Sequence, residues 1–309
     1  MAIYDSYGVQ QFYFPNILKY DPDQFENRFR QELASGNGAS MIGMWNGKTI
    51  QGAIEPNKHI CGNGKKEISA ADIQEWTNKI KNSNSGYFVF PSGDFSIKKI
   101  DSDSIITINT GNYGGKVVID FRYANISYDG ELIISSFIKI KGKLRDFKII
   151  NLFAKCNGKV SHGVLSDDNI GLGVFENIVI ENPILDGFNL SAWQVRINSC
   201  YIWSPGRDGF SINQSIATST SVLFNTCWVK EPVRYGFNLA GITYSNFINS
   251  AFDGGSRSEK KSKAVIGVSG FVYGLTINGM GTENTNCPLI YGEDSSSIRS
   301  MTLTNWYVW

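Results

Sequence analysis

INSCYI at Ile197–Ile202 and FNTCWV at Phe224–Val229 are two copies of one phrase: an apolar residue, an Asn, further apolar residues and a turn. Outward from this pair the phrase returns as INLF at Ile150–Phe153, ENIV at Glu176–Val179, INSAF at Ile248–Phe252, INGMG at Ile277–Gly281 and TNWYV at Thr304–Val308. The asparagines Asn151, Asn177, Asn198, Asn225, Asn249, Asn278 and Asn305 are separated by 26, 21, 27, 24, 29 and 27 residues. A recurrence of that length marks a stacked repeat. Each unit holds short β-rich runs between turn residues and no helical periodicity, which excludes helical repeats. A chain that coils through two or three strands per turn satisfies both the period and the strand content. The predicted fold is therefore all-β: a right-handed parallel β-helix with a small N-terminal helical and neck region.

This register carries further expectations. The seven asparagines stack about 4.8 Å apart, one per rung, each amide bonded to the next. Cys200 and Cys227 share the slot two residues after their Asn, and Ala251 takes it one rung later. Gly187-Phe188, Gly209-Phe210 and Gly236-Phe237 form a second column, with Gly turning the corner and Phe filling the core.

Composition narrows the function. Of 309 residues, 42% are hydrophobic, which is ample for a core, and the net charge of +1 points neither to nucleic acid nor to a basic membrane patch. No apolar run approaches the roughly 20 residues of a spanning helix, so membrane insertion is not expected. The opening MAIYDSYGVQ has no basic region followed by an apolar one, so a secretion leader is not expected either. The cysteines, Cys61, Cys156, Cys200, Cys227 and Cys287, are odd in number and contain no C-x-x-C pair, so buried thiols are expected rather than a metal site or a disulfide framework. No cofactor motif is present.

Taken in order, residues 1–19 read as an aromatic-rich arm. A helix begins at Asp21-Pro22-Asp23-Gln24, with Phe25, Phe29 and Leu33 on one face and Gly36 at its end. Glycines then crowd the stretch to Lys66, which reads as a neck. Ser69-Ala-Ala-Asp72 starts another helix, with Ile73, Trp76 and Ile80 on one face and an end near Ser83; it caps the first rung. GYFVFPSGDFSI at Gly86–Ile97 is strand, turn and strand. The expected domains are thus an arm and neck over 1–66, a capping helix over 67–85 and a β-helix over 86–309. MTLTNWYVW at Met301–Trp309 reads as one more apolar rung, and an aromatic end face of this kind leads us to expect either a truncated form or part of a longer chain.

At this point the chain resembles a known family. RFRQELASGNGASMIGMWNGKTIQ at Arg28–Gln51 is similar to the neck of bacteriophage tailspikes. The segment Ile68–Lys98 is similar to the opening of pectate-lyase-like β-helices, although Lys66–Ser69 stands where that opening has Asp-Asp-Thr. SCYIWSPGRDGFSI, NTCWVKEPVRYGFNL, YSNFINSAFDGG and INGMGTEN resemble central tailspike rungs. The resemblance implies a homotrimer on the virion tail that binds host capsule or lipopolysaccharide and depolymerises it. It also implies an N-terminal region that joins a tail or baseplate protein.

Carboxylates are the best candidates for chemistry. Counted from each Asn, Glu181, Glu231, Asp253 and Glu283 leave the stack near one turn. Neighbouring rungs hold such groups about 5 Å apart and alternate rungs about 9 to 10 Å apart, the two separations used in glycoside hydrolysis. Mutual repulsion between them would raise one pKa and leave an acid beside a base. Solvated turn residues fall at the same positions, so alignment alone does not decide. Glu231 and Asp253 lead as catalytic candidates because Trp228, Arg234, Tyr235 and Tyr244 lie nearby as substrate-binding candidates: rings for sugar faces, an Arg fork for an acidic sugar. Glu283 accompanies them. Asp208, beside Arg207 in PGRDGF, is a further catalytic candidate, with Arg207 a further substrate-binding one; the competing reading is an Arg-Asp surface turn. The histidines are His59 and His162, and nothing near His162 completes a triad. The charged loop Ser256–Lys263 reads as a solvated excursion. A non-catalytic receptor-binding or adaptor fibre is the alternative. A secreted pectate-lyase-like enzyme fits less well, since the chain lacks an Asp cluster suited to calcium.

Overall fold

The computed structural model describes residues 3–4, 10–11, 58–64, 68–82, 85–98, 103–109, 116–213, 218–254 and 262–308. The chain divides into two compact units, Met1–Pro56 and Asn57–Trp309. In the first, the described residues are two strands, Ile3–Tyr4 and Gln10–Gln11, paired antiparallel. The rest of the arm, the helix expected after Asp21 and the glycine-rich neck up to Asn57 lie outside the described residues, as does most of the charged loop at 256–261 and Trp309.

The second unit is a parallel β-solenoid of about eight turns with a single short helix among its described residues. Three walls of in-register strands make up each turn. On the first wall, Ile126, Ala154, Ile180, Ile202, Val229, Phe252 and Thr282 follow one another inward. The second wall sends in Val164, Phe188, Phe210, Phe237 and Ile266. The third sends in Ile149, Phe175, Ile197, Phe224, Phe247 and Ile277. On the first and third walls the period of two along each strand leaves the intervening residues facing outward, whereas Asp208–Ile212, Tyr235–Leu239 and Ala264–Val268 of the second wall are buried throughout.

Because each rung repeats the last, like side chains stack on like. The rings of Phe188 and Phe210 stack at 5.1 Å, Phe210 and Phe237 at 5.3 Å, and Phe224 and Phe247 at 4.5 Å. The glycines before these Phe residues do a different job from the one expected. Gly187, Gly209 and Gly236 do not have left-handed φ. A Cβ on Gly209 would lie 2.4 Å from Val229 Cγ2 and 2.6 Å from the Gly236 carbonyl oxygen, so close approach, not corner turning, requires the glycine.

The corners are turned by left-handed residues that are mostly not glycine. One corner column is Asn151, Asn177, Ser199, Thr226, Asn249, Gly279 and Asn305; another contains Asn182, Ser204, Glu231 and Asn284. This corrects the single asparagine ladder. Asn198, Asn225 and Asn278 stand one residue before the corner, opposite Glu176, Ile248 and Thr304, while the other four asparagines occupy the corner itself. Left-handed backbone suits Asn, but Ser, Thr and Gly fill the same slot here, so the Asn slips between adjacent positions. Amide bonding survives in pieces: Asn177 Nδ2 donates to Asn151 Oδ1 at 3.1 Å, and Asn305 Nδ2 to Asn278 Oδ1 at 2.9 Å. The same slip places Ser250, not Ala251, opposite Cys227, whose backbone N–H donates to Ser250 Oγ at 3.3 Å. All five cysteines are free, and all but the half-buried Cys287 are buried.

The helix, Ala70–Asn82, forms as its sequence dictates. Ser69 N–H donates to Asp72 Oδ2 at 2.9 Å and Asp72 N–H to Ser69 Oγ at 3.2 Å, a reciprocal cap. Ile73, Trp76 and Ile80 are buried, and the Trp76 ring meets Phe90 at 5.5 Å and Phe121 at 6.0 Å edge-on. The stack starts earlier than the sequence boundary at residue 66, because Lys58–Ile60 pairs with Tyr87–Val89. At the other end, the expected rung is present as Ser297–Thr304 and Tyr307–Val308, with Tyr307 exposed and Trp306 half-buried against the core. No helix among the described residues is long and apolar enough to cross a membrane.

Candidate functional site

The outer face of the first wall carries two columns. One runs Asn125, Phe153, Val179, Tyr201, Trp228, Ala251 and Gly281; the other runs Ser127, Lys155, Glu181, Trp203, Lys230, Asp253 and Glu283. Glu181, Asp253 and Glu283 thus share a column, and Asp253 and Glu283 are adjacent in it, about 4.8 Å apart along the stack. Glu181 is three rungs away, separated by Trp203 and Lys230. Glu231 does not join the column; it is the corner residue after Lys230, with φ +53°. Its N–H donates to the Asp253 carbonyl at 2.8 Å, and its Oε2 accepts from Ser204 Oγ at 3.2 Å.

Asp253 is buried and oriented: Asn284 Nδ2 donates to Oδ1 at 3.1 Å and Lys230 Nζ lies 3.5 Å from Oδ2. Glu283 is exposed. Beside them, Tyr201 packs on Trp228 at 5.1 Å and Trp203 at 6.3 Å, and Lys230 sits 5.6 Å over the Trp203 ring. Trp203 and Trp228 are each 39% exposed, enough ring surface to receive an apolar sugar face. Burial, and after it the charges of Asp253 and Glu231, push the Tyr201 phenol above its ordinary value, which ties Tyr201 to the same neighbourhood. The sequence reading missed Tyr201 and Trp203, although their spacing of two on a strand marks one face.

The other predicted residues lie elsewhere. Asp208 is 0% exposed, so it is neither a surface turn nor open to a substrate. Its partner is Arg234 from the next rung, not Arg207: Arg234 Nε donates to Oδ1 at 2.8 Å and its terminal nitrogen to Oδ2. Arg207 makes the same fork on Asp186, one rung back, with Nε to Oδ1 at 2.8 Å. Both predicted Arg forks are therefore engaged by buried aspartates. His162 Nδ1 lies 3.2 Å from Asp186 Oδ2, near enough for an ion pair when protonated but not aligned as a hydrogen bond. Burial pushes the Asp208 carboxyl up even against Arg234. Burial alone would raise Asp186 too, but the Arg207 fork and the His162 ring outweigh it and hold that carboxyl below the usual range. Tyr235 is also buried, its hydroxyl donating to Glu293 Oε1. Tyr244 is 61% exposed and lies at a different corner, edge-on to Tyr273 at 5.4 Å. Asp186 went unnoticed in the sequence, although DGF at 186–188 repeats DGF at 208–210.

Hollows open on the described stack, and two concern the site. One, of about 590 Å³, lies on the first wall around Phe153 and Val179; the other, of about 480 Å³, is lined by Leu172, Gln194, Arg196 and Ser221 at the corner whose next rung carries Tyr244. Among the described residues no three His, Cys, Asp or Glu gather as a metal site.

The fold is that of the parallel β-helix class. An alginate lyase from Paenibacillus sp. str. FPU-7 superposes with a TM-score of 0.54 at 11% identity, over 82% of this chain and 98% of its own. The ORF18 protein of Geobacillus virus E2 superposes with a TM-score of 0.50 at 11% identity, over 99% of this chain and 68% of its own. At that identity the likeness is one of fold. The N-terminal region supplies a more particular relation: residues 1–24 match the head-binding family model. The tail spike protein of Shigella phage Sf6 is 50% identical over 52 residues in that region, a match spanning 14% of this chain and 8% of the Sf6 protein.

Proposed function

We propose that this chain is a tail protein of the tailspike type whose first wall binds, and at Asp253 and Glu283 cleaves, a host surface polysaccharide. The reading rests on one observation above the others: two in-register carboxylates on adjacent rungs beside the exposed rings of Trp203 and Trp228. Rungs about 4.8 Å apart bring such a pair into range of the roughly 5 Å carboxyl separation that suits glycoside cleavage through a covalent intermediate, one group acting as nucleophile and the other as acid and then base. Held by Asn284 and Lys230 with its side chain 8% exposed, Asp253 takes the nucleophile's part, and the exposed Glu283 takes the acid's. The head-binding match at residues 1–24 supports attachment to the virion tail through the N-terminal region. Assembly as a homotrimer belongs to the same proposal, as does the division into an arm and neck, a capping helix and a β-helix.

The test is incubation of purified protein with capsule or lipopolysaccharide of the host, reading new reducing ends and unsaturated uronate. Asp253→Asn and Glu283→Gln should each lower cleavage by at least about 100-fold with melting unchanged. Unsaturated uronate in place of reducing ends alone would replace hydrolysis with elimination. A second reading has its own support: the ion pair of Asp253 with Lys230 is what a structural carboxylate on a non-catalytic receptor-binding fibre would form. Binding of the glycan without shortening it would establish that reading.

A further inference from the structure

The 590 Å³ hollow on the first wall carries a second assignment. Between Asp120 and Ala124 the strand Val117–Tyr128 carries a bulge against the strand Phe147–Lys155, where three residues oppose the single Asn151. Two of them, Arg122 (φ +48°) and Tyr123 (φ +59°), are consecutive left-handed residues, an arrangement that non-glycine residues adopt only under constraint. The constraint is Asp120, whose Oδ1 accepts from Arg122 N–H at 2.8 Å and Asn151 Nδ2 at 3.0 Å. The bulge projects Tyr123, 69% exposed, to line the hollow with Leu152, Phe153, Lys155, Asn177 and Val179. Nothing in the core requires that ring.

Lys155 is the charged residue of the lining. Its ammonium lies 5.4 Å over the Phe153 ring and has no ion-pair partner among the described residues; Glu181, its in-register neighbour, is not within ion-pair distance. Two rings, the amides of Asn125 and Asn177 and an uncompensated ammonium around 590 Å³ fit sugar faces with a carboxylate between them. Phe153 shares its column with Tyr201 and Trp228, and the Asp253 rung is four rung steps on, about 19 Å.

We propose that this hollow is a binding subsite for an acidic sugar, set apart from the Asp253–Glu283 pair and reached by the same glycan chain along the Tyr201–Trp228 strip. The inference rests on the glycan-binding reading above but not on cleavage. The test is titration calorimetry with oligosaccharides of mannuronate, galacturonate and hyaluronan, each beside its carboxyl-reduced counterpart. The wild-type chain should bind at least one acidic oligosaccharide about tenfold more tightly than its reduced form. Lys155→Met should erase that preference. Tyr123→Asn, which keeps a residue tolerant of left-handed backbone, should weaken both forms about fivefold and leave their ratio alone. Circular dichroism melting of both variants checks that the stack is intact. Equal binding of acidic and reduced forms by wild type, binding of none, or a preference that survives Lys155→Met would overturn the subsite. Acid preference with no cleavage sinks only the catalytic reading; cleavage with a KM unmoved by Lys155→Met sinks only this one.

Discussion

Arg234→Met removes a guanidinium while keeping much of the side-chain stem, and Asp208 would be left with the Tyr235 N–H at 3.2 Å as its remaining described donor. A carboxylate with no exposed surface, stranded in this way, costs about 3–5 kcal/mol. Arg234 is 35% exposed, so water reaches its end of the pair and the lower figure, about 3 kcal/mol, is expected. For a unit of this size that lowers the melting midpoint by about 6–12 °C. Acidity gives an independent readout. Burial already raises the Asp208 carboxyl, and losing the Arg that opposes burial raises it further. A group whose folded pKa lies above its unfolded one contributes stability below the unfolded value and loses it as pH rises through the folded value. The deficit of the variant should therefore be full at neutral pH and shrink as pH falls toward the ordinary carboxylate range. Arg234→Met combined with Asp208→Asn should recover most of the neutral-pH loss. Far-ultraviolet circular dichroism melts at neutral and mildly acidic pH make the measurement. A single variant that melts with wild type at neutral pH, or a deficit indifferent to acid, would refute the reasoning.

Gly209→Ala should cost about 1–3 kcal/mol in the same melts, since its new Cβ would meet Val229 Cγ2 at 2.4 Å and a backbone oxygen at 2.6 Å. Gly158→Ala, with nothing within 4 Å but a φ of +65°, should cost only about 1 kcal/mol. Burial pushes the Cys227 thiol up to about 12, so iodoacetamide at mildly alkaline pH should leave it unmodified until the protein is denatured. Cys287, half-buried and less strongly shifted, should react first; mass spectrometry of the alkylated peptides reads the order.

The fold was legible because a stacked repeat writes its period into the chain. Phe188, Phe210 and Phe237 sit at constant offsets from their glycines, and the structure puts them in one column. The Asn phrase was a blurrier ruler. Its corner needs a left-handed backbone rather than an amide, so counting from Asn198 and Asn225 displaced Ala251 by one residue. The same counting merged Glu231 with Asp253, although one turns the corner and the other ends the strand. Arg207 and Arg234 were misread because their partners lie 21 and 26 residues back, a separation that adjacency in PGRDGF conceals. The bulge at Tyr123 breaks the period, so no repeat could announce it.

The inter-rung forks bear on how the molecule assembles. In a solenoid each turn is coupled to the next, and the strength of that coupling sets whether turns fray singly or together. Here the acid of one turn is neutralised by the Arg of the turn after it, Asp186 by Arg207 and Asp208 by Arg234. A half-built stack that stops at Asp208 leaves that carboxylate without its guanidinium until the residue 26 positions later arrives. Partial structures ending within this stretch are thereby disfavoured, and the middle turns should form and melt together as one cooperative block.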